Sequence, residues 1–276
     1  MKNIDKSVVD GFGDEWSRFD QSALPKDEQL QIFNDYFSVF PWQALPPNAV
    51  GFDAGCGSGR WAELCAPRVG LLNAIDASND ALAVARKKLS AMANVKFYHA
   101  SVEEIPLEDA SQDFGYSLGV LHHVPDTSSA LRACVKKLKH NAPFLVYLYY
   151  RFDNRPLWFR LLWKISDLIR AVVSRMPHFL RYGVSQVFAA LVYWPLARTA
   201  WLLESMGASV HNFPLTGYRD KSFYAMRTDA LDRFGTRLEQ RFTRAEILEM
   251  MTAAGLTNIT FRDSLPFWCA VGYRVS

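Results

Sequence analysis

The chain has 276 residues, half of them hydrophobic, which is enough for a substantial core and excludes a disordered polymer. Its 31 basic and 28 acidic side chains leave a formal charge of +3, and with no basic tail at either end this argues against a nucleic-acid partner. Four cysteines, Cys56, Cys65, Cys134 and Cys269, show neither CxxC spacing nor the density of a disulfide scaffold, so reduced thiols in a cytoplasm and no metal site are expected.

The N-terminal stretch MKNIDKSVVDGFGDEW is polar and lacks the apolar run of a signal peptide, so secretion is not expected. From Val50 to Phe152, apolar runs alternate with helical patterns. AVGFDAG, GLLNAIDA, VKFYHA, QDFGYSLGV and PFLVYLYY read as strands; GRWAELCAPRV, NDALAVARKKL and SSALRACVKKL read as helices. This alternation predicts a doubly wound α/β core with a parallel sheet and helices on both faces. From Arg155 to Met176 the period changes, with Leu161, Leu162, Ile165, Leu168, Ile169, Val172, Val173 and Met176 on one helical face; Pro177 ends this helix, and a second begins beyond it. The longest uncharged run, sixteen residues between Arg181 and Arg198, falls short of the roughly 20 apolar residues that span a bilayer. In FTRAEILEMMTAAGL, Thr243 and Glu246 form a capping-box pattern and Gly255 a stop signal; LTNITFRDS and FWCAVGYRV read as closing strands.

The stretch FDAGCGSGR carries the chemistry. Gly55, Gly57 and Gly59 sit between a strand and a helix, where the backbone can turn tightly and approach a ligand. Arg60 follows the third glycine, so the dinucleotide spacing G-x-G-x-x-G is absent and a nicotinamide dehydrogenase is disfavoured. Asp76 ends the next strand, where a carboxylate can accept hydrogen bonds from both hydroxyls of a ribose.

These residues, with LHHVPD at 121–126, resemble the class I S-adenosylmethionine-dependent methyltransferases, in particular the small-molecule enzymes with an LHHV.D segment. The resemblance covers Val50 to Phe152 and implies a Rossmann-like seven-stranded mixed sheet with a helical insertion. It implies S-adenosyl-L-methionine as cofactor and S-adenosyl-L-homocysteine as product. Asp53, Gly55 and Gly57 would meet the methionine part, Asp76 the ribose, and Ala77, Ser101 and Val102 the adenine, with Cys56 also at the cofactor and Gly119 lining the sulfonium. Ser101 departs from the family's aspartate, which removes a side-chain bond to the adenine amino group. KHNAP replaces a glycine-rich turn, with Asn141 taking the left-handed conformation. FGDEWSRFD resembles a cofactor cover in which Trp16 and Phe19 close over the methionine and Arg18 reaches its carboxylate.

The expected organisation is an N-terminal helical cover at 1–45, a cofactor-binding core at 46–152 and 242–276, and a helical insertion at 153–241 serving as a substrate lid. Methyl transfer from a sulfonium is an in-line displacement that needs mainly orientation and exclusion of water. With a hydroxyl or acidic-carbon acceptor a base near the methyl helps, for which His123 is the first candidate and His122 a weaker one. His211, Tyr218 and Tyr224 are lid candidates, and Arg219, Lys221 and Arg227 could hold an acidic acceptor.

Methylation of a small organic acceptor is expected, at oxygen ahead of carbon or nitrogen, in natural-product or polysaccharide biosynthesis. The alternatives are a lipid or lipid-linked acceptor at a membrane surface and a non-catalytic cofactor-binding protein. Between Arg151 and Arg198 eight basic residues face two acidic ones, leaving +6 there and about −3 on the remainder. The basic, tryptophan-rich stretch 155–201 could bury against the sheet, cover a substrate, touch a membrane peripherally or form a homodimer face.

Overall fold

The computed structural model describes residues 3–275. Seven strands form one sheet: β1 (Val50–Ala54), β2 (Leu71–Asp76), β3 (Val95–His99), β4 (Phe114–Leu118), β5 (Pro143–Tyr147), β6 (Leu256–Phe261) and β7 (Cys269–Arg274), in the order β3-β2-β1-β4-β5-β7-β6. The first five are parallel; β7 runs antiparallel to both β5 and β6. The order reverses between β1 and β4, and in open α/β sheets ligands bind outside the carboxyl ends of the strands at such a point. The mixed seven-stranded sheet agrees with the expectation.

Burial on both faces explains why the central strands read as continuous apolar runs. Two glycines make the central contact possible: a Cβ at Gly51 would lie 2.3 Å from the Phe114 ring, and one at Gly115 would lie 2.4 Å from the Phe52 ring. The two phenylalanines are fully buried against each other's glycine.

Ten α-helices accompany the sheet among the described residues: α1 (Lys6–Arg18), α2 (Lys26–Tyr36), α3 (Ala62–Cys65), α4 (Asn79–Lys88), α5 (Thr127–Lys137), α6 (Leu157–Val173), α7 (His178–Phe188), α8 (Trp194–Ser205), α9 (Phe223–Gly235) and α10 (Arg244–Ala253). Ser78 caps α4 by accepting from the Ala81 N–H, and Arg86, Lys87 and Lys88 close its last turn, where cations offset the helix dipole. Asp126 caps α5 in the same way, and Thr243 with Glu246 forms the expected capping box of α10. Asn141 takes the predicted left-handed conformation at φ 61°. The helix expected after the glycine turn is cut to the single turn α3, since Pro67 forces the chain into a 3-10 turn over Ala66–Arg68.

By their contacts the residues divide into two compact units. The sheet unit comprises residues 3–21, 30–151 and 238–275; the helical unit comprises 22–29 and 152–237. In the helical unit, Val173, Ala189, Tyr193, Ala197, Met226, Ala230 and Phe234 form a small core, with Phe188 stacked on Phe234 at 4.5 Å. Arg181 is buried there and donates to the Gly235 carbonyl at 2.8 Å. A π turn over Ala189–Tyr193 carries α7 into α8, and Pro195, which has no N–H to donate, stands just beyond that irregular turn. The apolar face of α6 read from the sequence is exposed over most of its length: Leu161, Leu162, Ile165, Leu168, Ile169 and Val172 all stand at the surface, while Val173 joins the core and Met176 packs against it.

Candidate active site

Beyond Ala54 the chain passes through three left-handed glycines, Gly55, Gly57 and Gly59, at φ 85°, 52° and 77°. Only glycine adopts these angles at no steric cost, and space forbids a side chain as well. A Cβ at Gly55 would meet the Val120 side chain at 2.4 Å, and one at Gly57 would meet the Trp16 indole nitrogen at 2.9 Å. The Gly55 and Cys56 N–H groups donate to the Ile75 carbonyl at 2.8 and 3.0 Å, fastening the turn to the end of β2. One residue on, Asp76 accepts from the Gly57 N–H with one carboxylate oxygen and from the Ser78 N–H with the other, both at 2.8 Å. Burial pushes the Asp76 carboxyl up, and these two N–H donors pull it back.

Ala77, Ser101 and Val102 lie on the loops after β2 and β3, at the same edge of the sheet. Ala77 and Ser101 are half-buried and Val102 is buried; His99 donates from Nε2 to the Ala77 carbonyl at 2.9 Å. Gly119, at the end of β4, has φ 80° and nothing within 4 Å of where a Cβ would stand, so open space lies against it. Trp16 of α1 lies over Gly57, with the Arg60 guanidinium 5.6 Å from its ring.

Four of the expected residues, Asp53, Phe19, Arg18 and Cys56, stand as follows. Asp53 is fully enclosed, and the β1–β4 register sets it opposite Tyr116, itself fully buried. Desolvation pushes the Asp53 carboxyl from 3.8 to about 8; the nearby Tyr116 hydroxyl lowers it without closing a hydrogen bond, the Asp76 charge raises it and Arg60 lowers it. Phe19 is core rather than cover, being buried beyond the end of α1. Arg18 lies on the exposed side of α1 in an ion pair with Asp14 at 2.9 Å. The Cys56 thiol is also enclosed, and burial pushes it well up, so this residue can offer a ligand only its backbone.

The two histidines occupy a 3-10 turn, Leu121–His123, just beyond Gly119, with 0% and 3% of their surfaces exposed. The His122 ring stacks on Tyr149 at 3.8 Å and its Nδ1 accepts from the Tyr149 N–H at 3.4 Å; burial pushes it well down, so it is neutral. His123 donates from Nδ1 to the Leu238 carbonyl at 2.7 Å, which leaves Nε2 as the ring's lone-pair nitrogen. Phe12 of α1 meets its ring edge-on at 5.0 Å. Asn3 ties the start of this N-terminal segment to the residues following the histidines: its side-chain amide donates to the Asp126 carbonyl at 2.7 Å and accepts from the Asp126 N–H at 2.6 Å.

A second group was missed by the sequence reading. Tyr147 is the last residue of β5 and Tyr149 lies two residues on, Tyr36 meets Tyr147 edge-on at 5.0 Å, and Trp61 lies 4.9 Å from Tyr36. The Arg241 guanidinium lies 4.9 Å over the Tyr149 ring and pairs with the enclosed Glu239 at 2.7 Å. Gln240 between them donates its backbone N–H to the His122 carbonyl and its side chain to the Val124 carbonyl. The segment therefore holds the histidine turn, yet it has no period or motif that would show this from the sequence.

The remaining candidates belong to the helical unit. His211 is exposed, its carbonyl taken by Arg155; Tyr218 meets Tyr193 edge-on at 5.4 Å; the Tyr224 carbonyl accepts from the Thr228 hydroxyl at 3.1 Å. Arg219 is paired with Glu204, and Arg227 donates to Gln186 and Tyr182.

Residues 52–146 match the family described as "Methyltransferase domain". Over 89 residues the chain is 37% identical to a ubiquinone biosynthesis O-methyltransferase of Pseudomonas fluorescens (strain Pf0-1), covering 32% of this chain and 38% of that protein. It is 36% identical over 91 residues to a demethylmenaquinone methyltransferase of Staphylococcus aureus (strain MRSA252), covering 32% and 37%. The match thus spans under two-fifths of these curated relatives' length. Among solved structures, a Bacillus halodurans protein described as a methyltransferase aligns at TM-score 0.52 and 15% identity over 84% of this chain and 72% of that one. A Haloferax volcanii protein solved with a methyltransferase activator aligns at TM-score 0.52 and 14% identity over 96% and 98%. The chain carries a class I methyltransferase domain.

That class takes its methyl group from S-adenosyl-L-methionine, and the residues present fit this cofactor. Gly55 and Gly57 leave bare backbone at the turn, Asp76 is a fixed carboxylate at the end of β2, and Gly119 faces open space. Asp76 would hold the ribose, Gly55 and Gly57 the methionine end, and Ala77, Ser101 and Val102 the adenine.

Proposed function

We propose that this protein transfers the methyl group of S-adenosyl-L-methionine to an oxygen atom of a small organic acceptor in a biosynthetic pathway. The observation that carries the reading is the alignment, along the carboxyl ends of β2, β1 and β4, of the tied-back Asp76, the glycine turn, the open space at Gly119 and the histidine turn. When bound, the cofactor supplies an electrophilic methyl on a good leaving group, so the protein's task is to orient the acceptor and keep water out.

His123 is the proposed base. Its Nδ1–H is committed to the Leu238 carbonyl, which aims the chemistry at Nε2 and fixes the ring. His122, neutral and stacked on Tyr149, positions its neighbour. A base of this kind suits a hydroxyl acceptor, and the relatives named as an O-methyltransferase and a demethylmenaquinone methyltransferase support a cyclic organic acceptor.

A second reading, a lipid or lipid-linked acceptor reached at a membrane surface, is favoured by one observation, the exposed apolar face of α6. The test is transfer of labelled methyl from S-adenosylmethionine into a cell extract, partitioned into organic, aqueous and protein fractions. Label in a small-molecule fraction that falls about 10²- to 10⁴-fold in His123→Ala, with cofactor binding unchanged, supports the reading and the role of His123. Full activity in His123→Ala removes the base, and cofactor binding without transfer to any fraction favours a non-catalytic binding protein.

A further inference from the structure

Helix α6 is built as an amphipathic helix turned the wrong way round for a soluble protein. Leu157, Trp158, Leu161, Ile165, Leu168 and Val172 recur at the spacing that aligns one helical face, and all are exposed, Leu157 by 78% and Leu168 by 71%. The inward face, with Phe159, Trp163, Ser166 and Val173, is the one that packs: Ser166 accepts from Arg233 of α9, and Val173 joins the small core. An unbroken apolar stripe along a 17-residue helix, about 25 Å long, exceeds the scattered surface hydrophobes usual for a soluble domain.

The charge beside the stripe selects its occupant. Arg160 and Lys164 stand exposed along one edge, and Arg175 is exposed just past its end. The whole segment from Asn154 to Leu203 contains one carboxylate, Asp167, already paired with Arg170 at 2.7 Å. A second copy of this chain would set the same cations against one another with no acid to answer them. An anionic bilayer answers both features: its acyl boundary takes the leucines, and its headgroups take the cations, whose long stems allow them to reach outward. Among the described residues no helix is long and apolar enough to cross a membrane, so contact would be along the surface.

We infer that α6 lies in the plane of an anionic membrane surface, its leucine face in the headgroup–acyl boundary. The inference rests on α6 alone and holds whatever acceptor is methylated. Just beyond Pro177, Phe179 and Leu180 at the start of α7 are also exposed and extend the apolar surface available.

The experiment is co-sedimentation of the full chain, without cofactor, with vesicles of an equal mixture of phosphatidylcholine and phosphatidylglycerol, and with vesicles of phosphatidylcholine alone. Binding to the mixed vesicles is expected, weakening with added salt, and falling about tenfold for each of Leu161→Glu and Leu168→Glu. Arg160→Glu with Lys164→Glu should bring mixed-vesicle binding down to the phosphatidylcholine level. Both sets of positions face outward, so the thermal unfolding midpoint should not change; Leu161→Ser with Leu168→Ser replaces the charged pair should that midpoint fall. No sedimentation with the mixed vesicles overturns the inference. Equal binding to both vesicle types overturns its electrostatic half. A solution dimer that Leu168→Glu dissociates, without vesicle binding, assigns the face to a second copy. A methyl-transfer assay in detergent-free buffer is read separately, so loss of vesicle binding with transfer intact leaves the enzymatic reading standing.

Discussion

Phe114 and Leu168 are both large hydrophobes on regular elements, and the molecule uses them in opposite ways. Phe114 sits in the centre of the sheet, fully enclosed, its ring in the space that Gly51 leaves; Leu168 stands on the outside of α6. The sheet unit spends its apolar residues on a core rigid enough to fix a turn and a carboxylate within hydrogen-bonding distance. The helical unit keeps a core of small size and leaves its widest apolar stripe at the surface. Hydrophobicity along a chain therefore measures how much surface avoids water, and packing decides what it faces instead.

The largest effect that tests this contrast is Phe114→Ala, expected to lower stability by about 3–5 kcal/mol through the cavity it opens, measured by urea unfolding. Next comes Asp53. A carboxyl held protonated to about 8 in the folded chain but titrating near 3.8 when unfolded makes the native state bind the extra proton between those values. Its contribution to stability is therefore fully present below the unfolded value and is lost as pH rises towards 8, on the order of a few kcal/mol. Asp53→Asn should flatten that part of the stability–pH curve, and an unchanged slope would show that the buried acid is ionised. Asp76→Ala should then weaken S-adenosylmethionine binding by about 1.5–3 kcal/mol by calorimetry while the protein stays folded. At the small end, Leu168→Ser should change the unfolding free energy by less than about 0.5 kcal/mol. A loss as large as that of Phe114→Ala would erase the distinction between the two regions.

Much of the sheet was legible in the sequence because its strands are buried on both sides and bounded by residues with local meanings. Asn141 at a left-handed turn, the Thr243–Glu246 capping box and the three glycines each carry their reason within a few residues. Features set by distant partners were not legible. Which way Asp53 points depends on β4 lying beside β1, and no local pattern says that Tyr116 will face it. Leu238 and Gln240 reach the histidine turn through hydrogen bonds between segments more than a hundred residues apart in sequence, which leave no period. The pattern alone starts the second part of the core at 242, whereas the sheet unit takes up the chain at Leu238. For α6 the sequence showed the width of the stripe, and only the packing of its other face showed that the stripe points outward.

The paired hydrogen bonds between Asn3 and Asp126 make one backbone amide a clock. The Asp126 N–H can exchange its hydrogen with solvent only when the N-terminal segment lifts from the residues that follow the histidine turn. Its exchange rate, followed by isotope labelling with and without S-adenosylmethionine, would time the opening of that segment at a single nitrogen.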